Sequence, residues 1–184
     1  MNYAQRSYPL FSACGLNCGL CPRYHTQGTS RCPGCAGDGF SEKHPPCGIL
    51  SCSQRHGIDY CYLCDEYPCK KYDGADLADS FITHLHQRKD LDKAKATGIE
   101  SYQAELNEKV AILQTLLGHF DDGRRKGFFC LAVNLLPLDD CKAIMDRLTQ
   151  EINPDDPPKQ KAEAAVRLFE AIARQQGVAL RLRK

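Results

Sequence analysis

From residue 74 onward, apolar residues recur every three or four positions, which is the spacing of a helix that buries one face. An early stretch predicts a first helix of about three turns that ends before the charged residues 87–95; its apolar residues are Leu77, Ala78, Phe81, Ile82 and Leu85. The clearest stretch follows and ends at the breaker 121–123; its apolar residues are Tyr102, Leu106, Val110, Leu113, Leu117 and Phe120.

Three further segments complete the predicted helical part. The apolar run 128–136 fits a core helix or a strand by length, and its helical neighbours favour a helix. Pro137 ends this run or begins the next helix, whose stripe is Leu138, Cys141, Ile144, Met145 and Leu148. Asp156 is the predicted cap of a last helix that ends at Gly177, with a proline in its first turn. The alternating tail 178–182 fits an edge strand or a frayed end.

The first 73 residues have weak hydrophobic periodicity and are dominated by glycine, proline and cysteine. We therefore predict two domains: a small, metal-stabilised, zinc-type cysteine-rich domain over residues 1–73 and a mainly α-helical bundle over residues 74–184. Ten of the twelve cysteines lie in the first domain: Cys14, Cys18, Cys21, Cys32, Cys35, Cys47, Cys52, Cys61, Cys64 and Cys69.

The spacing of these cysteines indicates metal ligation. In the strongest motif, Cys32-Pro33-Gly34-Cys35, proline fixes one backbone angle and glycine permits a tight return, so both thiolates can face one ion. Residues 1–13 carry one arginine and no sustained apolar stretch, unlike a signal peptide, which predicts a cytoplasmic protein. In a reducing cytosol, closely spaced cysteines more often bind metal than form disulfides.

Three cysteine motifs also resemble a known family. The strings Cys14-Gly15-Leu16-Asn17-Cys18-Gly19-Leu20-Cys21-Pro22, Cys32-Pro33-Gly34-Cys35 and Cys61-Tyr62-Leu63-Cys64-Asp65-Glu66-Tyr67-Pro68-Cys69 resemble the prokaryotic domain-of-unknown-function family 3795 over residues 13–72. The resemblance implies a small cytoplasmic cysteine-rich protein that binds metal, and it implies no established reaction.

The ten thiols predict about two zinc ions, with an iron–sulfur cluster as the alternative because Cys21 and Cys32 each precede a proline. Ten thiols exceed the eight that two tetrahedral sites need, so two could bridge metals, stay free, or join a partial site with His25, His44 or His56. The preferred partition places Cys32, Cys35, Cys47 and Cys52 at one metal and draws the second site from the remaining six; an interleaved arrangement stays open.

Three functions follow, in order of preference. The first is a metal-binding, non-catalytic interaction module; the second is an iron–sulfur electron carrier or redox enzyme; the third is a zinc-dependent hydrolase, which would need an open metal position and a general base. The formal charge is nearly balanced, 24 Lys and Arg against 23 Asp and Glu, so broad attraction to nucleic acid is not expected. No segment is long enough to predict a membrane anchor.

The helical part offers one candidate ligand site. Arg124, Arg125 and Lys126 come just before a predicted helix, whose free N–H groups favour an anion. The sequence therefore predicts a possible site for a small anionic or phosphate-bearing ligand, with a solvated basic turn as the alternative. Cys130 and Cys141 stand among apolar residues, so we expect core positions and not nucleophiles.

Overall fold

A computed structural model describes residues 3–75 and 77–184, so Met1, Asn2 and Asp76 lie outside it. The protein is mainly helical, and within the described residues there is no β-strand. Seven helices are found there: α1 Phe40–Lys43, α2 Gly48–Arg55, α3 Gln87–Thr97, α4 Ile99–His119, α5 Lys126–Leu135, α6 Leu138–Glu151 and α7 Pro158–Gln175. None of these has the length and apolar character needed to cross a bilayer.

The chain divides into two compact units. The first contains the described residues up to Leu106 together with Leu182–Lys184, and the second is Asn107–Arg181. The first unit therefore holds all ten clustered cysteines and also α3 and the beginning of α4. The predicted division of the chain after residue 73 stays a prediction.

The second unit is built around an apolar interior. Helix α5 buries seven consecutive residues from Phe129 to Leu135, and it packs against α7, which also contacts α6. Phe129 and Phe169 meet edge to face, with their ring centroids 6.2 Å apart. The helix prediction for residues 128–136 is thus confirmed. Helix α6 is also confirmed, with Pro137 just before it and Cys141, Ile144 and Leu148 buried.

Helix α4 confirms the clearest of the sequence predictions. Tyr102, Leu106, Val110 and Leu113 are buried along one face, as the spacing indicates. The stripe then continues through Leu116, which is fully buried, and not through Leu117, which is half-buried. A period of 3.6 residues allows a step of either three or four, and only packing decides between them.

The prediction of a helix on residues 77–85 is wrong. This segment has no regular structure in its described residues, and Leu77, Phe81 and Leu85 are exposed. The charged residues that were expected to follow the helix instead form α3, which buries only Leu91, Ala94 and Gln87. Leu77, Phe81 and Leu85 therefore have helical spacing but lie in a segment without regular structure, because no core packs against them.

Two details at the C-terminus also differ from expectation. Helix α7 begins at Pro158 with Pro157 before it, so Asp156 is not the cap, and no side chain caps this end. The tail forms neither a strand nor a frayed end. Arg183 instead returns to the first unit, where its backbone N–H donates to Asp79 Oδ2 at 2.7 Å and its carbonyl accepts from the Asp79 N–H at 3.0 Å.

The first unit is held by short turns instead of long helices. Weak periodicity predicted loops before residue 73, and the structure adds the short helices α1 and α2 and four 3₁₀ turns: Cys18–Leu20, Gly28–Ser30, Cys61–Leu63 and Lys70–Tyr72.

Two glycines of the cysteine motifs determine how these loops pack. Gly15 has φ +94°, and a Cβ there would lie 2.1 Å from the Gln87 carbonyl oxygen. Gly34 has φ +86°, and a Cβ would lie 2.5 Å from the Pro9 oxygen. Only glycine fits both the angle and the space.

Candidate metal centre

Four of the ten clustered cysteines line one small cavity in the first unit. Cys52 projects from α2, Cys61 and Cys64 bracket the 3₁₀ turn Cys61–Leu63, and Cys69 precedes the turn Lys70–Tyr72. The cavity measures about 30 Å³, which is enough to admit a particle of the size of a water molecule. We call these residues the four-thiol group. Its other neighbours are mostly apolar, with His56 and Lys71 beside them: Ile49, Ser53, Ile58, Tyr67 and Tyr72.

The electrostatics of the four-thiol group favour a cation. Burial raises the pKa of the Cys61 thiol, and the potential of Cys69, Cys52 and Cys64 raises it further, while a hydrogen bond with the Tyr72 hydroxyl opposes both effects. Without a positive charge close to it, the Cys61 thiol is therefore held in the neutral form. A divalent cation would remove that penalty, because it favours the thiolate form of each ligand.

The remaining six clustered cysteines form a second group, which precedes the first in the chain: Cys14, Cys18, Cys21, Cys32, Cys35 and Cys47. Cys18, Cys35 and Cys47 pack in one apolar cluster with Ala13, Ala36, Phe40 and Leu50. The Cys32 N–H donates to the Arg23 carbonyl at 3.0 Å, so the Cys32–Cys35 loop is fixed to the turn that follows Cys21. We call these residues the six-thiol group.

Cys18 interacts with four other cysteines of the six-thiol group. Burial raises the pKa of its thiol well above the ordinary value, and Cys35, Cys14, Cys21 and Cys32 add to that increase. Cys14 is also buried; burial and then Cys35 raise its pKa, to about 11, although the Ser12 hydroxyl lies 3.0 Å from its sulfur. Cys14 and Cys18 are thus weakly acidic thiols.

Hydrogen-bond donors already point at several of these sulfurs. The Leu50 N–H donates to Cys47 Sγ at 3.5 Å, where Cys47 caps α2. Backbone N–H groups of Ala13 and Arg23 reach the sulfurs of Cys35 and Cys21 and lower pKa values that burial raises. These donors stabilise the thiolate form of the cysteines that they reach.

The two groups differ from the preferred partition of the thiols. The cavity places Cys52 with Cys61, Cys64 and Cys69, away from the set Cys32, Cys35 and Cys47 that the sequence favoured. The groups follow chain order and do not interleave. Within residues 3–75 and 77–184, no three Cys, His, Asp or Glu side chains converge closely enough to hold a metal ion as they stand. Ion binding would therefore require the thiols of a group to draw together.

Arg6 is a residue of this site that the sequence analysis missed. It is 9% exposed, and its Nη1 donates to the Phe11 carbonyl at 3.0 Å. Its guanidinium lies 4.7 Å from the centroid of the Tyr60 ring and also interacts with the Cys35 thiol. One signal was available, because Arg6 is the only charged residue before Arg23. A single arginine forms no repeating pattern, however, so hydrophobic periodicity cannot reveal it.

The turn between Cys14 and Cys18 is fixed by a buried hydrogen-bond chain. The Asn17 side chain is buried; its Nδ2 donates to Asp90 Oδ2 at 2.9 Å, and its Oδ1 accepts from the Tyr102 hydroxyl at 2.9 Å. Asn17 thereby joins the cysteine loop to α3 and to the first turn of α4. Because every partner is satisfied, this chain holds the loop in one conformation.

The segment that carries both groups matches a known family model. Residues 10–74 match the family described as "Protein of unknown function (DUF3795)". The match confirms the resemblance seen in the cysteine motifs. No curated protein and no solved structure matches the chain. All ten clustered cysteines lie inside the matched segment, whereas Arg6 lies before it and the second unit lies after it.

The three histidines of the matched segment have different surroundings. His25 Nε2 is 2.7 Å from the Gly19 carbonyl oxygen, and His44 stacks on Phe40 with its Nδ1 2.7 Å from the Pro45 oxygen. His56 lines the four-thiol cavity. Among these three, His56 is therefore the histidine that the structure places beside a thiol group.

Cys130 and Cys141 are core residues, as predicted. Both are buried in the second unit, and burial raises the pKa of Cys141 to about 11 despite the nearby Lys109. Its thiol is therefore protonated at neutral pH, unlike the thiolate that a nucleophile needs.

The basic triplet Arg124, Arg125 and Lys126 has carboxylates beside it. Asp121 Oδ1 accepts from the Arg125 N–H at 2.9 Å and from the Gly123 N–H at 3.0 Å, and Asp122 Oδ1 accepts from the Arg124 N–H at 3.0 Å. Acidic side chains thus occupy the backbone donors that immediately precede α5. Anion binding here stays a prediction.

Proposed function

We propose that the cysteine-rich segment binds metal ions, predominantly zinc, through two groups of thiols, and that it acts as a non-catalytic interaction module. The observation that carries the metal assignment is the cavity lined by Cys52, Cys61, Cys64 and Cys69, which has room for about one ion. Four thiolates complete the tetrahedral shell of a structural zinc site. A closed shell leaves no position for water, which favours this role over a zinc hydrolase.

The six-thiol group supplies more ligands than a second tetrahedral ion needs. Its sulfurs have N–H donors and a buried arginine beside them, features that suit thiolate ligands. Bound zinc would fix the loops by coordination and leave their outer surface free for contacts. An iron–sulfur cluster is the alternative occupant, because thiolates hold it equally well.

Elemental analysis of anaerobically purified protein tests the metal assignment. We expect about two zinc ions per chain, with lower content in Cys64→Ser and in Cys35→Ser. Cys141→Ala is the matched control, because it removes a buried cysteine of the second unit and should keep the full metal content. Brown protein with equal iron and acid-labile sulfide would establish the iron–sulfur alternative. Less than one equivalent of total metal with every thiol free would refute both.

The interaction role is supported by exposed apolar side chains in the first unit. Leu77 and Phe81 are 77% and 62% exposed, and Leu63 and Leu85 are also exposed. Leu77, Phe81 and Leu85 are also close together in the chain, and large exposed apolar side chains are candidates for contact with a partner. A photo-crosslinking residue placed at Leu77 should give a discrete adduct in cells, whereas the same residue at exposed Lys89 on α3 should not. Identical patterns at the two positions would contradict the interaction role.

A further inference from the structure

Cys64 lines two separate spaces in the first unit. The first is the small cavity that it shares with the other members of the four-thiol group. The second is an open groove of about 270 Å³, whose other lining residues are His56, Ile58, Leu63, Asp65 and Glu66. Among the described residues that line this groove, Cys64 is the only cysteine. A small molecule that enters the groove therefore meets Cys64, with the rest of the four-thiol group behind it.

Cys61 is the member of the group that the backbone holds closest to Cys64. The Cys64 N–H donates to the Cys61 carbonyl at 3.0 Å, which closes a four-residue turn. Such a turn brings its first and last Cα atoms within about 7 Å of each other, and disulfides span Cα separations of up to about 6.8 Å. Both side chains also line the same cavity. The four thiols do not converge on an ion as they stand, but a disulfide needs only two of them.

We infer that Cys64 is the residue at which a hydroperoxide oxidises this protein, and that the product is a disulfide between Cys61 and Cys64. With hydrogen peroxide, Cys64 Sγ first attacks one peroxide oxygen. The O–O bond breaks, Cys64 becomes a sulfenic acid, and the other oxygen leaves as water with the thiol proton. Cys61 Sγ then attacks Cys64 Sγ, the S–O bond breaks, and a second water leaves with the Cys61 proton. Two thiols thus lose two electrons, which reduce one peroxide.

The charge of the groove favours a neutral oxidant. Asp65 and Glu66 line it and are exposed, and no ion pair neutralises either carboxylate among the described residues. The described lining contains no lysine or arginine. Negative charge at the mouth of a groove slows the approach of an anion and leaves a neutral molecule unaffected. Hydrogen peroxide should therefore reach Cys64 more readily than an anionic oxidant such as oxidised glutathione.

Oxidation also regulates the four-thiol group, and this consequence rests on the proposed function. Metal is bound by thiolate, and a disulfide between Cys61 and Cys64 removes two of the four thiolates. The ion should therefore leave when the disulfide forms. A dithiol reductant should break the disulfide by exchange and restore the ligands.

Peptide mapping of the full chain tests the oxidation site. The reduced protein is treated with one equivalent of hydrogen peroxide, its free thiols are alkylated, and the tryptic peptide 56–70 is fragmented, because it carries Cys61, Cys64 and Cys69. We expect a Cys61–Cys64 disulfide with Cys69 alkylated. Cys61→Ser should leave a sulfenic acid at Cys64, which dimedone traps. Cys64→Ser should lose the disulfide. Cys69→Ser is the matched control and should keep it, because Cys69 lines the cavity and is not among the lining residues of the groove.

A second pair of variants tests the role of the groove. The double change Asp65→Asn and Glu66→Gln should speed the reaction of Cys64 with oxidised glutathione and leave its reaction with hydrogen peroxide unchanged. Asp155→Asn with Glu170→Gln removes the same charge from exposed positions of the second unit and should change neither rate. Equal rates with oxidised glutathione in the two double variants would overturn the role of the groove.

The outcomes separate the inference from the proposed function. Oxidation spread evenly over the cysteines, or a disulfide that omits Cys64, would overturn the inference. If Cys61→Ser does not fold, dimedone added with the peroxide to the unsubstituted protein decides, since its adduct should lie on Cys64. If the reduced protein binds no metal, the proposed function fails, while the disulfide map still decides the oxidation site. If metal is bound and stays bound after the disulfide forms, the regulation of the metal site is overturned.

Discussion

The two units of this protein solve the problem of stability in different ways. The second unit buries a continuous apolar surface, as α5 shows with seven consecutive buried residues. The first unit has short turns and two short helices before residue 73, and its interior is polar in several places. Among the described residues, every buried polar residue except Asn134 belongs to the first unit: Arg6, Ser12, Asn17, Ser53, Thr83 and Gln87.

Under the proposed function, metal coordination explains why the first unit tolerates interior polarity. Short loops cannot bury enough apolar surface to offset the entropy of ordering them. Coordination can supply that free energy and also requires polar and charged groups around the ligands. Under the proposed function, the first unit should depend on metal and the second should not.

The largest expected effect comes from removing metal. Structural zinc sites contribute about 10 to 16 kcal/mol in small metal-folded domains, so chelation should unfold the loops of residues 14–69. Helices α5 to α7 should keep their amide protection, since their core contains no clustered thiol. Hydrogen exchange before and after chelation measures both units in one experiment. Equal loss of protection in both units would break the comparison.

A substitution in the apolar core of the second unit should destabilise only that unit. Phe169 is fully buried against Phe129, so Phe169→Ala should lower the free energy of unfolding by about 3 to 5 kcal/mol. Metal content should remain unchanged, because both thiol groups lie in the first unit. Denaturant unfolding followed by helical signal, together with elemental analysis, checks the two statements. A fall in metal content would show that the units are not independent.

The sequence predicted secondary structure correctly where packing alone determines it. Helices α4, α5 and α6 were found because core burial imposes a 3.6-residue period on their apolar positions. Helix α3 was missed because only Leu91 and Ala94 among its apolar residues face the core, so its many charges conceal any helical period. Residues 77–85 were misassigned for the opposite reason, since Leu77, Phe81 and Leu85 have helical spacing but are exposed.

The thiol groups show the same limit of prediction from local sequence. Spacing identified each cysteine motif, because ligand pairs are close in sequence. Which motifs come together depends on long-range packing, such as the Cys61 N–H donating to the Ala13 carbonyl at 2.9 Å. The placement of Cys52 and the position of Arg6 follow from such contacts. Neither can be read from the local order of residues.

A smaller effect concerns the part of the first unit that is held by an ion pair. Burial acts to raise the pKa of Asp79, but hydrogen bonds from the Arg183 side chain and backbone and from the His84 N–H lower it overall. Asp79→Asn should therefore cost about 2 kcal/mol at pH 7, where the carboxylate is charged. Asp73→Asn, an exposed neighbour, is the control.

The pH dependence of this variant has a definite sign. A carboxyl whose folded pKa is depressed contributes stability above its unfolded pKa, about 3.9, and loses it as the pH falls towards the folded value. The difference between the unsubstituted protein and Asp79→Asn should thus shrink between pH 5 and pH 3. A difference that stays constant over that range, measured by urea unfolding, would contradict the ion-pair explanation.

The smallest expected effect asks whether the second unit has a ligand of its own. Arg124, Arg125 and Lys126 stand at the start of α5, but Asp121 and Asp122 occupy nearby backbone donors, so phosphate should bind weakly. At a phosphate concentration equal to its Kd, the stabilisation is about 0.4 kcal/mol, which raises Tm by about 2 to 3 °C in a unit of this size. High salt should remove the shift, because salt screens exposed charges. The double change Arg124→Gln and Arg125→Gln should abolish it, whereas Lys159→Gln with Arg174→Gln, which removes two charges from α7, should preserve it. An equal shift in both double variants would assign the effect to general charge and would contradict a ligand site at the start of α5.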